Sequence, residues 1–135
     1  MTKNLLFVYG SLLPGSNNAM SAWLDSYTLV VCKGKLAGRM YRIRNYPGVI
    51  YDESCDSYVN GVVLRFNSKD PILEVLDKYE EVGPEFSTPN EYRRIWLNVF
   101  CEDNLSRKSW VYLYNRSTVN LPRINGGSFL DFQCE

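Results

Sequence analysis

Apolar residues along the chain fall into short runs of two different periods, and each period predicts a different kind of element. The first run, Asn4 to Tyr9, is almost continuously apolar and stops at Gly10, the pattern of a central strand covered on both faces. It opens into a loop, Ser11 to Gly15. Met20, Trp23, Leu24 and Tyr27 then recur at i, i+3, i+4 and i+7, which predicts a short amphipathic helix capped by Ser16 or Asn17, with its aromatics in the core.

From Thr28 to Ile43 the alternation of Val30, Cys32, Leu36 and Met40 predicts one or two extended strands, with Gly34 and Gly38 as bends or bulges. Tyr46-Pro47-Gly48 reads as a turn leading into Val49-Ile50-Tyr51, and the polar stretch Asp52 to Asp56 as a loop. Val62, Leu64 and Phe66 alternate with Val63 and Arg65 as in a half-buried strand, with Gly61 near its start. Asp70 and Pro71 look like the cap and first residue of a helix whose apolar stripe is Ile72, Val75, Leu76 and Tyr79.

Val82 to Asn90, with Gly83, Pro84 and Pro89, predicts a loop. Beyond it Ile95, Leu97 and Val99 alternate within Tyr92 to Phe100, and a turn at Glu102 to Arg107 leads to Ser109 to Tyr114, so the two runs form an antiparallel hairpin. The tail, with Pro122, Gly126, Gly127 and then Phe129 to Phe132, is expected to pack back on the sheet without forming another element. Many strands, two short helices and short connections predict an α+β fold built on a small mixed sheet or barrel.

Composition narrows the picture. The 135 residues fit one domain, 1–135. Fifteen basic residues balance fifteen acidic ones, so no net field holds a polyanion or an anionic membrane, and neither nucleic acid nor membrane is the expected partner. No stretch approaches the roughly 20 apolar residues of a membrane span, and Leu5 to Tyr9 is too short for a signal segment, which predicts a soluble, cytoplasmic protein. Cys32, Cys55, Cys101 and Cys134 lie far apart without a close pair, which points to thiols and not to a metal site.

The chain has no histidine. That removes the histidine triads, the histidine zinc sites and the commonest general base together. Proton transfer then rests on a carboxylate, Lys, Tyr or Cys, and no metal or cofactor is expected. Around the second helix a helical count singles out one carboxylate. With Ile72 at zero, Glu80 falls about 80° round, between Leu76 and Leu73, and Glu81 about 180° round on the polar face. Glu80 therefore borders the apolar stripe at the negative end of the helix dipole, where desolvation and dipole both raise a carboxylate's pKa. By the same count Asp77 faces solvent, and Glu74 and Lys78 form a surface i,i+4 pair. The strand, loop and helix around Gly10 and Ser11 could present backbone N–H groups to an oxyanion, but a plain tight turn explains them as well.

Tyr9-Gly10-Ser11-Leu12 near the start, Tyr46-Pro47-Gly48-Val49, Gly61-Val62-Val63, Leu76 to Glu80 followed by Tyr92-Arg93-Arg94, then Tyr112 to Asn115 and the closing Gly126-Gly127, occur in this order over nearly the whole chain. In that order they resemble the γ-glutamylcyclotransferase-like (AIG2-like) family. The resemblance implies that Tyr9, Gly10, Ser11 and Leu12 receive the glutamyl end of a small γ-glutamyl substrate and that Glu80 is the catalytic acid/base. Tyr92 matches an aromatic position after the catalytic helix, where it either hydrogen-bonds the substrate or the Glu, or belongs to the core. Tyr112 is a further substrate-binding candidate, although alternation in the hairpin also accounts for it. Family members usually have Gly after the catalytic Glu, where this chain has Glu81.

The implied reaction is closure of a γ-glutamyl compound on its own α-amine, releasing 5-oxoproline and an amine. It needs positioning, an acid/base and oxyanion donors, and neither histidine nor metal. The alternatives are the same chemistry on a different γ-glutamyl amine, the loop Val82 to Asn90 framing the leaving group, or a binding protein for a γ-glutamyl-like ligand without turnover.

Overall fold

The structure is a computed structural model that describes residues 3–44 and 46–125. Of the tail, residues 126–135, Phe129 to Phe132 and Cys134 included, lie outside the described residues, and Arg123–Ile124 pairs with Tyr41 and Met40 as a short strand, an element not expected there from the sequence. The elements in chain order are β1 (Leu5–Val8), α1 (Ala19–Tyr27), β2 (Thr28–Arg42), β3 (Pro47–Tyr51), β4 (Tyr58–Phe66), α2 (Ile72–Tyr79), β5 (Tyr92–Cys101), β6 (Ser106–Tyr114) and β7 (Arg123–Ile124). Strands β2, β4, β1, β6 and β5 are neighbours in that order, and β5 returns to β2 through Gly34↔Cys101 and Lys35↔Phe100, closing a five-stranded barrel. β3 and β7 extend it from the far end of β2. Among the described residues only β1 and β6 run parallel. The α+β fold expected from the sequence is observed, and of the sheet and barrel left open there the structure has the barrel.

The barrel explains why β1 has no polar alternation. Phe7 belongs to the cluster of Leu36, Val63, Val99 and Leu113 that fills the barrel. Leu6 and Val8 point the other way, into a second cluster with Leu24 of α1 and Ile72 and Leu76 of α2. Both faces of the strand are buried, so both must be apolar.

Several local expectations are corrected. The segment after α1 is one 15-residue strand, and its irregularity lies between Val30 and Cys32, not at the glycines. Gly34 serves close approach instead: a Cβ there would sit 2.7 Å from Val99 Cγ1, at the seam where β5 joins β2. The cap of α1 is Asn18, whose extended backbone lets Oδ1 accept from Ser21 N–H at 2.8 Å. Tyr27 is 47% exposed and lies tilted against Trp23 at the surface, ring centroids 5.1 Å apart, outside the core.

The β2–β3 turn ends two residues earlier than the sequence suggested. Ile43 N–H donates to the Tyr46 carbonyl at 3.0 Å, and Pro47 and Gly48 are already strand. A proline fits the first residue of an edge strand because it need not donate there. Pro71 sits in the cap position of α2 with ψ 47°, outside helical range, and Asp70 supplies its carbonyl to Ile72 N–H, not its side chain. No ion pair joins Glu74 and Lys78 among the described residues. Cys32 and Cys101, both buried, place their sulfurs 2.7 Å apart across the seam as free thiols, and Cys55 is free too.

Candidate functional site

One cavity of about 270 Å³ collects the residues that the sequence had scattered. Its walls come from the loop after β1, from Tyr46 and Pro47 at the β2–β3 turn, from the end of α2, from Glu91 and Tyr92 at the start of β5, and from Tyr112 on β6. Tyr9, Gly10, Ser11, Leu12, Glu80, Tyr92 and Tyr112 all line it.

The loop is held from outside by the first turn of α1. Asn18, besides capping the helix, donates through Nδ2 to the Ser11 carbonyl at 2.8 Å, and the Ser21 hydroxyl donates to the Leu13 carbonyl at 2.8 Å. With the carbonyls engaged on that side, the N–H groups of Gly10, Ser11 and Leu12 have no acceptor among the described residues. Gly10 is pressed against Pro47, whose Cγ would lie 2.8 Å from an added Cβ. Leu12 is buried beneath the helices and anchors the loop.

Glu80 follows the last helical residue as the C-cap of α2, its N–H donating to the Leu76 carbonyl at 2.8 Å. Its half-buried carboxylate accepts no hydrogen bond among the described residues. Burial, and then the negative charge of Glu91, raise its pKa from 4.5 to about 7. Glu81 is exposed, as counted, but for a different reason: it adopts φ 56°, so the helix has already ended. Glu81 N–H donates to the Lys78 carbonyl and Val82 N–H to the Asp77 carbonyl, the paired bonds of a left-handed helix stop. That conformation explains a glycine at this position in the resembling family.

The three tyrosines spend their hydroxyl protons inside the protein. Tyr9 donates to the Tyr112 carbonyl, Tyr92 to the Pro47 carbonyl at 2.8 Å, and Tyr112 to Asp77 Oδ1 at 2.7 Å. Burial raises all three phenol pKa values, so they stay neutral. Of the two roles open to Tyr92, the structure gives a wall of the cavity with its hydroxyl tied to the backbone, not to Glu80.

Sequence reasoning missed the pairs Tyr46–Glu91 and Arg94–Asp77. Glu91 receives the Tyr46 hydroxyl at 3.1 and 3.0 Å on its two oxygens and lies 3.9 Å from Arg116. It precedes a strand in a polar loop, where no periodicity marks it. Asp77, placed in solvent by the helical count, is bound bidentately by Arg94 at 2.8 and 3.0 Å. The count gives an azimuth on the helix and says nothing of a long arginine reaching over from β5. Among the described residues no group of three His, Cys, Asp or Glu could hold a metal ion, and no helix is long and apolar enough to cross a membrane.

Residues 6–131 match the family described as gamma-glutamyl cyclotransferase, AIG2-like. No curated protein matches the chain in sequence. Solved structures similar in fold include YkqA from Bacillus subtilis, at TM-score 0.71 and 18% identity over 98% of this chain. The chain spans 41% of that protein's length. An AIG2-like protein from Mus musculus superposes at TM-score 0.68 and 23% identity, over 93% of this chain and 86% of the other. A gamma-glutamyl cyclotransferase does so at 0.61 and 18%, over 89% and 69%. At these identities the likeness is one of fold.

Proposed function

Since the chain belongs to the gamma-glutamyl cyclotransferase, AIG2-like family, we propose that it releases 5-oxoproline from a γ-glutamyl amine or peptide, with Glu80 as its acid/base. The observation that carries this reading is one arrangement: a partnerless carboxylate with a pKa of about 7 and a loop with acceptor-free N–H groups line the same small cavity. A group poised near neutral pH can both take and return a proton.

In this mechanism the Glu80 carboxylate takes a proton from the substrate's α-ammonium. The free amine attacks the γ-carbonyl carbon, forming the C–N bond of a five-membered lactam and placing the charge on the carbonyl oxygen. N–H groups of Gly10, Ser11 and Leu12 receive that oxyanion or the substrate carboxylate. Collapse breaks the bond to the leaving nitrogen, to which protonated Glu80 returns the proton. The ring nitrogen, still carrying two protons after attack, gives one up to solvent as it becomes the lactam N–H. Because nucleophile and electrophile belong to one molecule, holding the reactive conformer supplies much of the acceleration.

The test is to incubate the pure protein with a panel of γ-glutamyl amines and peptides and follow 5-oxoproline by mass spectrometry. Glu80→Gln is expected to fold and release none, whereas Glu81→Gln should stay active. Turnover by Glu80→Gln would sink the assignment, and silence of the native protein across the panel would favour a binding role.

A further inference from the structure

The apolar anchors of α2 stop short of the residue that matters. Ile72 and Leu76 are fully buried, but Tyr79, next to Glu80, is 45% exposed. Polar contacts hold the final turn. Asp77 Oδ1 accepts from Arg94 Nε at 2.8 Å and from the Tyr112 hydroxyl at 2.7 Å, while Oδ2 accepts from Arg94 Nη2 at 3.0 Å. The Asp77 carbonyl accepts Val82 N–H at 2.7 Å, closing the stop that follows Glu80. One residue is thus bound through its side chain to β5 and β6 and through its backbone to the turn that sets Glu80.

The partners of Asp77 are themselves fixed. Arg94 faces Tyr112 in the β5–β6 register, and its guanidinium lies 4.3 Å from the Trp110 ring centroid. Tyr112 in turn gives its backbone carbonyl to the Tyr9 hydroxyl, and Tyr9 opens the Gly10–Leu12 loop. A continuous path of contacts therefore joins the two halves of the site. Only arginine's planar fork satisfies both Asp77 oxygens at once, so a lysine is not equivalent here.

We infer that the Arg94–Asp77 ion pair, with Tyr112 as its third member, is a positioning clamp that fixes Glu80 against the Tyr9–Leu12 loop, and that without it the last turn of α2 lifts Glu80 toward solvent. The catalytic consequence rests on the reading of Glu80 as acid/base; the geometric one does not. Glu80 is faced by Tyr9 from the loop, Tyr46 from the β2–β3 turn, Glu91 and Tyr92 from the start of β5, and Tyr112 from β6. Arg94→Lys leaves all of these and the charge beside Asp77 in place, so a change in the titration of Glu80 in that variant reports how it sits in the cavity, whereas Asp77→Asn also removes a negative charge one turn away.

The experiment compares Arg94→Lys, Asp77→Asn and Tyr112→Phe with the native protein by two readouts. One is the titration of Glu80 by carbon-13 NMR of the glutamate carboxyls, its signal identified by its loss in Glu80→Gln. The other is 5-oxoproline release from a γ-glutamyl amine. In Arg94→Lys and Asp77→Asn the Glu80 midpoint should fall from about 7 toward 4.5, and kcat should drop by about 10- to 100-fold with KM changed by less than about twofold. Tyr112→Phe should shift both in the same direction by less. The exposed neighbour Arg93→Gln should move neither. A midpoint that stays near 7 in Arg94→Lys overturns the clamp, whatever happens to turnover. If the native protein turns over no γ-glutamyl compound, the acid/base reading fails while the titration still decides the clamp. If Asp77→Asn does not fold, Arg94→Lys, which keeps the charge, carries the test.

Discussion

Replacing Glu80 by Gln should make the protein more stable, and increasingly so as pH rises from acid to neutral. The carboxyl's pKa is raised from 4.5 to about 7 by burial and by Glu91, whereas in the unfolded chain it titrates at its ordinary value. Between these two values the folded state holds a proton that the unfolded state has released, so stability falls as pH rises. This contribution is complete below the unfolded pKa, is lost through the window from about 4.5 to about 7, and is flat above it. At about 1.4 kcal/mol per pH unit the loss reaches about 3 kcal/mol, an upper bound because the cavity admits some solvent. Gln has the same shape and no charge to desolvate. Urea unfolding followed by tryptophan fluorescence, from about pH 4 to about pH 8, measures the difference between the two proteins, in which other titrating groups cancel. That difference should be near zero at the acid end and grow to as much as about 3 kcal/mol in favour of Glu80→Gln. A difference independent of pH, or largest at low pH, would refute the claim that burial of this carboxylate sets its proton affinity.

Glu81→Gly should raise stability by about 1 kcal/mol, because φ 56° costs a side chain what it does not cost glycine; a thermal melt that is unchanged or lower would count against it. Glu91→Gln removes the second cause of the raised Glu80 pKa, so the acid limb of kcat/KM should move to lower pH, and a limb that stays or rises would show that Glu91 does not act on it. Gly10→Ala forces a methyl to 2.8 Å from Pro47 Cγ, displacing the residue whose carbonyl holds Tyr92. The expected cost is about 1–3 kcal/mol together with reduced turnover, read by urea unfolding and the 5-oxoproline assay.

How far the sequence could be read depended on where each interaction lies. Periodicity found α1, α2, the β5–β6 hairpin and the doubly buried β1, because each of these writes its burial into its own residues. Closure of the barrel was open between sheet and barrel, since only two residue pairs, Gly34↔Cys101 and Lys35↔Phe100, make the seam and neither leaves a local signal. The caps were misplaced by one or two residues: Ser16, Asn17 and Asn18 offer similar chemistry, and Asn18 is chosen because it also reaches Ser11. In the site, helical geometry separated Glu80 from Glu81, whereas Asp77, Arg94, Tyr46 and Glu91 meet only through contacts between elements far apart in sequence. The Tyr9–Leu12 loop took its meaning from the family resemblance, and the structure adds that among the described residues the N–H groups of Gly10, Ser11 and Leu12 lack acceptors while the Gly10 and Ser11 carbonyls are engaged by Leu13 N–H and Asn18.

Strand β1 lies between β4, which it pairs antiparallel from Leu5↔Arg65 to Val8↔Val62, and β6, which it meets at Leu6↔Trp110. Neither neighbour adjoins it in sequence, and the Tyr9–Tyr112 bond spans 103 residues. Strand β1 therefore waits for β6, about a hundred residues later in the chain, before its slot exists, a high-contact-order step that makes assembly slow. Until then the cavity has a Glu80 helix on one side and no loop opposite it. A partly folded chain would be inert, and recovery of turnover on refolding would time the last closure of the barrel.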